Sequence, residues 1–174
     1  MLGWDLACFD HQPSAVLGRD DEHDKRDESV RQFMKRYHVD VNQARRVRAA
    51  AQDFYDSVIT EPTDDTAHLR HALGWAADLH EVGLSIAHNT YHKHTAYVLE
   101  NADMPGFSRA DQQLLAMLVL GHLGKLAKLE PLAPQRDQWM AVLCLRLAVL
   151  LFRRREDLSP IPVRLSVKGD SIVV

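Results

Sequence analysis

The sequence predicts a mainly α domain, a bundle of about six helices followed by a C-terminal β-hairpin. Three observations carry this expectation. Apolar residues recur at helical spacing through residues 30–152. Pro62, Pro105-Gly106, Pro131 and Pro134 cut that region into helix-length segments. Only residues 163–174 alternate apolar with polar.

Residues 1–18 have no clear period and are punctuated by Pro13 and Gly18, so an irregular N-terminal segment is expected there. The mixed-charge run RDDEHDKRDE at 19–28 reads as a solvated helix start, continued by Val30, Phe33, Met34 and Tyr37 on one face. Asp40 is placed to cap a second helix with the stripe Val41, Ala44, Val47, Ala51, Phe54, Tyr55 and Val58, which Pro62 closes. A third begins near Asp64-Asp65-Thr66, buries Leu69, Leu73, Ala76 and Leu79, and is expected to end near Gly83 in a left-handed cap. A fourth spans residues 88–101, with Tyr91, Thr95, Val98 and Leu99 as its apolar side. Ser108-Arg109-Ala110-Asp111 has the form of a capping box and opens a fifth helix, which carries Leu114, Leu115, Leu118 and Val119 to His122. Pro131 and Pro134 bracket a loop. The last long helix, 135–154, is apolar on most sides and is expected at the centre, and Arg153-Arg154-Arg155 suit its C-terminal dipole. In the tail, Val163, Leu165 and Val167 alternate with Arg164, Ser166 and Lys168, and Gly169-Asp170 turns the chain into Ile172-Val173-Val174. The expected plan is therefore 1–18 irregular, 19–158 helical, 159–174 hairpin.

Composition narrows the function classes. At 174 residues, 46% hydrophobic and 26% charged, the chain is long and apolar enough for one packed domain. A net charge of -3 argues against a general nucleic-acid binder. Cys8 and Cys144 are too few for a disulfide framework and lack metal-ligand spacing, which points to a reducing compartment. The longest apolar run, Trp139 to Phe152, is 14 residues interrupted by Arg146, short of a membrane span. The N-terminus has no basic region before its apolar residues and does not read as a signal peptide.

Ten histidines stand out, seven of them between His68 and His122. His88 and His92, four apart, share a helix face, and His80-Glu81 falls at the end of the preceding helix. Imidazole with carboxylate can hold a divalent metal or move protons near neutral pH. A zincin HExxH is excluded, because Leu84 follows His80-Glu81 where the second His is required. The order His38, His80-Glu81, His88 or His92, and His122 is comparable to the helical HD metal phosphohydrolases. Glu81 replaces their Asp, however, and Leu145-Arg146-Leu147-Ala148-Val149 offers no late Asp. His38, His80, Glu81 and His122 are thus degenerate candidates, and no metal is expected; a stand-alone degenerate HD-type phosphohydrolase is the alternative reading. The plainer reading is that His80, His94 and His122 cap carbonyls or sit in satisfied core hydrogen bonds.

One resemblance covers most of the chain. LHEVGLSIAHNTYHKHTAYVLENADMPGF at 79–107, with Gly18-Arg19, Arg26-Asp27-Glu28-Ser29-Val30, Tyr37-His38-Val39-Asp40, Gln43-Ala44-Arg45-Arg46-Val47 and Leu145 to Leu151 in the same order, resembles the C-terminal domain of the exopolyphosphatase and guanosine pentaphosphate phosphohydrolase (Ppx/GppA) family. The resemblance implies an HD-domain-like helical fold followed by strands. It also implies a cytoplasmic, bacterial, usually homodimeric protein acting on polyphosphate or guanosine pentaphosphate. Catalysis in that family belongs to actin-like domains that use Mg²⁺; nothing in this chain matches them, so no cofactor and no catalytic residue are expected here. Neither membrane nor nucleic acid is an expected partner. The role implied is that of a C-terminal piece that helps bind the polyanion and form the dimer. The expected ligand contacts, chosen in or beside the matched motifs, are Arg19, Arg26, His88, His92, Lys93, His94 and Lys125.

Overall fold

The computed structural model describes the backbone of residues 14–168 and 171–173, and the side chains of residues 25–168 and Val173. Among these residues it contains six α-helices: α1 Ser14–Arg36, α2 Val41–Val58, α3 Asp64–Leu79, α4 Tyr91–Asn101, α5 Arg109–Gly121 and α6 Arg136–Leu151. Two short strands follow, β1 Ser166–Lys168 and β2 Ser171–Val173. They pair antiparallel with Ser166 opposite Val173 and Lys168 opposite Ser171. The turn expected at Gly169-Asp170 lies outside the described residues. No described helix is long and apolar enough to cross a membrane.

Local chemistry sets the helix ends. Asp40 Oδ1 accepts from the backbone N–H of Asn42 and Gln43, at 3.0 and 3.1 Å, satisfying two donors that α2 cannot pair internally. Thr63 caps α3 in a reciprocal box with Thr66, one residue ahead of the expected start. The Ser108–Asp111 box is formed: Ser108 Oγ accepts from Asp111 N at 3.1 Å, and Asp111 Oδ2 accepts from Ser108 N at 2.9 Å.

Four details differ from the sequence reading. Helix α1 begins at Ser14, so residues 14–18 are helical and Gly18 lies inside the helix; residues 1–13 are outside the described region. A helical Gly costs only about 1 kcal/mol against Ala, and the long charged run beyond it continues the helix. Gly83 is not a left-handed cap. Helix α3 stops at Leu79, and Gly83 sits in a 3-10 turn, Val82–Ser85, pressed so closely on α4 that a Cβ would lie 2.1 Å from Tyr91 O. Helix α4 starts at Tyr91, after Thr90 in the left-handed region at φ 58°, and it buries His92, Thr95, Ala96 and Leu99. Tyr91 and Val98 are only half-buried, because α5 and the 82–85 turn clasp a face rotated from the expected one. Finally, Pro131 lies in a second 3-10 turn, Leu126–Leu132, and α6 ends at Leu151, where a 3-10 turn Phe152–Arg154 takes over.

Helix α3 packs against α1, α2, α5 and α6, and α4 lies against α5. Ala50 and Ala51 of α2 and Ala72, Ala76 and Ala77 of α3 are buried, so these two helices meet on small side chains. Trp75, Leu73, Leu79, Leu115, Leu118 and Leu145 fill the centre. Each fully buried Leu contributes about 2 kcal/mol by loss of contact with water. Helix α6 is central as expected: Met140, Ala141, Val142, Cys144, Leu145 and Ala148 are buried, and Leu150 is exposed at its end. A lone two-stranded ladder is marginal in water, and β1 meets this need by packing on α2 while Leu165 is buried.

Candidate functional site

The ends of α3 and α5 bring two histidines together. His80 and His122 are the C-cap residues of these helices, and each Nδ1 donates to the carbonyl three residues earlier, Ala77 at 2.6 Å and Val119 at 2.5 Å. A carbonyl accepts only, so Nδ1 carries the proton and Nε2 a lone pair in both rings. The Tyr91 hydroxyl donates to His122 Nε2 at 3.0 Å. The His80 and His122 rings meet edge to face at 5.5 Å, and His92 packs against His122 on another side at 6.1 Å. Burial depresses the pKa of His80, and burial plus the neighbouring His80 depresses that of His122 well below the usual value. Both rings are therefore neutral at pH 7. The Tyr91 hydroxyl is pushed up to about 12, chiefly by burial.

Thr95 pins α4 to this centre. Its Oγ1 accepts from Gly83 N at 2.9 Å and lies 3.1 Å from His80 O and 3.0 Å from Tyr91 O. The close approach needs a residue without Cβ at position 83, which is the physical role of that glycine.

Beside His80, Glu81 is buried and held by Arg155. Arg155 Nη2 donates to Glu81 Oε1 at 2.6 Å, and Nη1 donates to Asp40 Oδ2 at 3.0 Å. Arg155 itself is in the left-handed region at φ 58°. His80 Nε2 lies 3.9 Å from Glu81 Oε1. The carboxylate that would have to anchor a metal is thus already paired with a guanidinium. His38 is exposed in the turn after α1, and no group of three His, Cys, Asp or Glu among the described residues is placed to hold a metal ion. These donors do not fit the HD-type centre, because such a hard-metal site requires several converging carboxylates.

On the other side of His122 the charges are of one sign. His92 is buried, its Nδ1 has no hydrogen-bond partner, and Lys128, Lys93, Arg146 and His94 surround it. Lys128 Nζ donates to Leu123 O. Arg146 donates to Gly121 O at 3.1 Å and Gly124 O at 2.7 Å. Burial and then these cations push His92 down to about 4, and burial, Arg146 and Lys93 push Lys128 down to about 8. Among the described residues no ion pair joins Lys93, Lys125, Lys128 or Arg146 to a carboxylate.

Of the expected contacts, His92, Lys93 and His94 meet in this cluster, and Lys125 is exposed at the start of the turn that carries Lys128. His88 is exposed on a separate cavity with Arg153 and Arg155. Arg26 is engaged elsewhere: its Nε donates to Gly106 O at 2.9 Å, and its guanidinium lies over Trp75 and Phe107 and 3.7 Å from Asp111. The Arg19 side chain lies outside the described residues. Sequence reasoning missed Lys128, Arg146, Tyr91 and the Asp40–Arg155–Glu81 bridge. For Arg146 the signal was present, as the one charge inside the long apolar run. The bridge joins residues 115 and 74 positions apart and leaves no local trace.

Family comparison agrees with this helical frame. The model for Ppx/GppA phosphatase, domain III, matches residues 25–171, from the middle of α1 to the start of β2. With a match over most of its length, the chain belongs to the Ppx/GppA phosphatase family, of which it carries domain III.

Proposed function

We propose that this domain supplies a Ppx/GppA phosphatase with a face for the phosphate chain of polyphosphate or guanosine pentaphosphate and with a surface for homodimerisation, in a bacterial cytoplasmic setting. Phosphoric anhydride hydrolysis belongs, in this reading, to the actin-like, Mg²⁺-dependent domains of the family rather than to domain III. The observation that carries the polyanion half is the crowding of Lys93, Lys128 and Arg146 around His92 with no carboxylate to balance them. Like charges held together cost free energy, and a bound phosphate chain relieves that cost. Lys93 and Lys125 are exposed and extend the same face to solvent. Support for the dimer half is a groove of about 470 Å³ between α4, α5 and α6, lined by Ala96, Leu114, Met117 and Leu120, with Leu132 54% and nearby Tyr97 69% exposed.

Fluorescence anisotropy with end-labelled polyphosphate tests the first half. Binding is expected at low salt and falls steeply as salt rises, because each neutralised phosphate releases a counterion. Lys93→Ala and Lys125→Ala each reduce the salt slope by about one contact. Undetectable binding at low salt removes the polyanion role. Sedimentation over a range of concentrations tests the second half, and a monomer at all of them removes it.

A further inference from the structure

Within the cationic cluster, Lys128 is held where a lysine can act as a nucleophile. It belongs to the 3-10 turn Leu126–Leu132, which the fully buried Leu129 beside it anchors in the core. Lys128 is half-buried, and its Nζ donates to Leu123 O. Gly124, at φ 78°, makes room for it: a Cβ there would lie 3.3 Å from Lys128 Nζ and 3.6 Å from His92 Nε2. Amine and imidazole thus meet across a residue without a side chain. Facing Lys128 are Lys93 and His92 of α4, His122 at the end of α5, and Arg146 of α6. The two histidines are neutral at pH 7. No ion pair among the described residues gives Lys128 a carboxylate.

Burial beside Arg146 and Lys93 disfavours the ammonium and holds Lys128 at about 8. In the neutral amine one N–H still donates to Leu123 O while the lone pair is free to react. Arg146 spends only some of its N–H donors on Gly121 O and Gly124 O, and Lys93 is exposed, so both keep donors for an anion. A nucleophilic amine beside such cations fits an electrophile that carries its own phosphate. We propose that Lys128 is a site of covalent acylation by a small acyl phosphate, whose phosphate Lys93 and Arg146 hold while the amine attacks the acyl carbon. The nitrogen lone pair forms the new C–N bond. The bond from the acyl carbon to the phosphate oxygen breaks, and its electron pair leaves with the phosphate. That phosphate takes the amine proton and departs as hydrogen phosphate. The amide N–H of the product keeps the bond to Leu123 O, and the cluster loses one positive charge, which lowers its like-charge repulsion. The assignment goes beyond the polyanion reading, because it requires one small reagent and no bound phosphate chain.

Incubation of the full chain with acetyl phosphate, followed by mass spectrometry of its peptides, tests this. At pH 8 Lys128 is expected to be acetylated about tenfold faster than the exposed Lys125, because about half of it is then free amine. Its rate levels off above that pH. With p-nitrophenyl acetate, an uncharged donor of the same acetyl group, the preference for Lys128 over Lys125 shrinks severalfold. Lys93→Gln, at an exposed position, slows the reaction of Lys128 with acetyl phosphate about threefold by removing one of the cations that hold the phosphate. Four results overturn the proposal: Lys128 acetylated no faster than Lys125, a rate still climbing through pH 10, an equal preference with the uncharged ester, or a Lys93→Gln protein modified as fast as the parent.

Discussion

His122 separates two neighbourhoods that treat charge in opposite ways. On the side of Glu81, His80 Nδ1 is bonded to Ala77 O, Tyr91 to His122, and Arg155 is balanced by two carboxylates. On the side of His92, burial and the neighbouring cations lower the affinity for protons of both His92 and Lys128. The difference teaches how to read a histidine-rich stretch. Of two adjacent residues of α4, Tyr91 serves an internally satisfied centre and His92 an unsatisfied one. Groups with partners hold the fold, whereas cations without a carboxylate leave a face of one sign.

Four measurements break or sharpen this contrast, from the largest effect downward. Gly83→Ala removes both neighbourhoods at once, since the added Cβ collides with backbone of α4 that carries Tyr91 and His92. A loss of about 3 kcal/mol or more in urea unfolding is expected, with polyphosphate binding gone. Acid acts next. His80, His92 and His122 have pKa values below that of an unfolded histidine, so between that value and the folded one the unfolded chain binds protons that the folded chain refuses. Stability is complete above the unfolded value of about 6.5 and falls with acidification toward pH 4, by up to about 1.4 kcal/mol per pH unit for each such histidine. A flat stability profile from pH 7 to 5 contradicts the neutral, buried assignment.

Arg155→Ala touches only the satisfied side. It strands Glu81, and the expected cost is about 1–2 kcal/mol, less than for a fully buried pair because the guanidinium is partly exposed. Chemical unfolding measures it, and polyphosphate anisotropy stays at the parent value. Lys128→Met touches only the unsatisfied side and has the smallest effect on folding, within about 0.5 kcal/mol of the parent. By removing a neighbouring cation it raises the His92 pKa, which an NMR titration of the imidazole reads directly. A downward shift contradicts the cluster.

Much of the fold was legible because its signals are local. The Asp40 cap, the Ser108–Asp111 box, the Gly106 turn at φ 87° and the alternation around Leu165 each depend on residues within a few positions. Gly83 was misread because a glycine required by close approach looks, in one dimension, like a glycine required by a left-handed turn. The buried face of α4 was shifted because His92, a polar type, occupies an interior position that composition assigned to Tyr91. Within the site, His92, Lys93 and His94 were visible as a run. Their partners Lys128 and Arg146 arrive from another turn and another helix, and only packing brings them there.

The Asp40–Arg155–Glu81 bridge also bears on the order of events during synthesis. It ties residues 40 and 81 to a residue 115 and 74 positions later, and those carboxylates have no guanidinium to meet until α6 and the turn after it have been made. Contacts of such long range close late in folding, because the loop they seal must first lose its freedom. Glu81 therefore stays hydrated on the nascent chain, and its withdrawal from water marks the moment when the last helix locks the first ones in place.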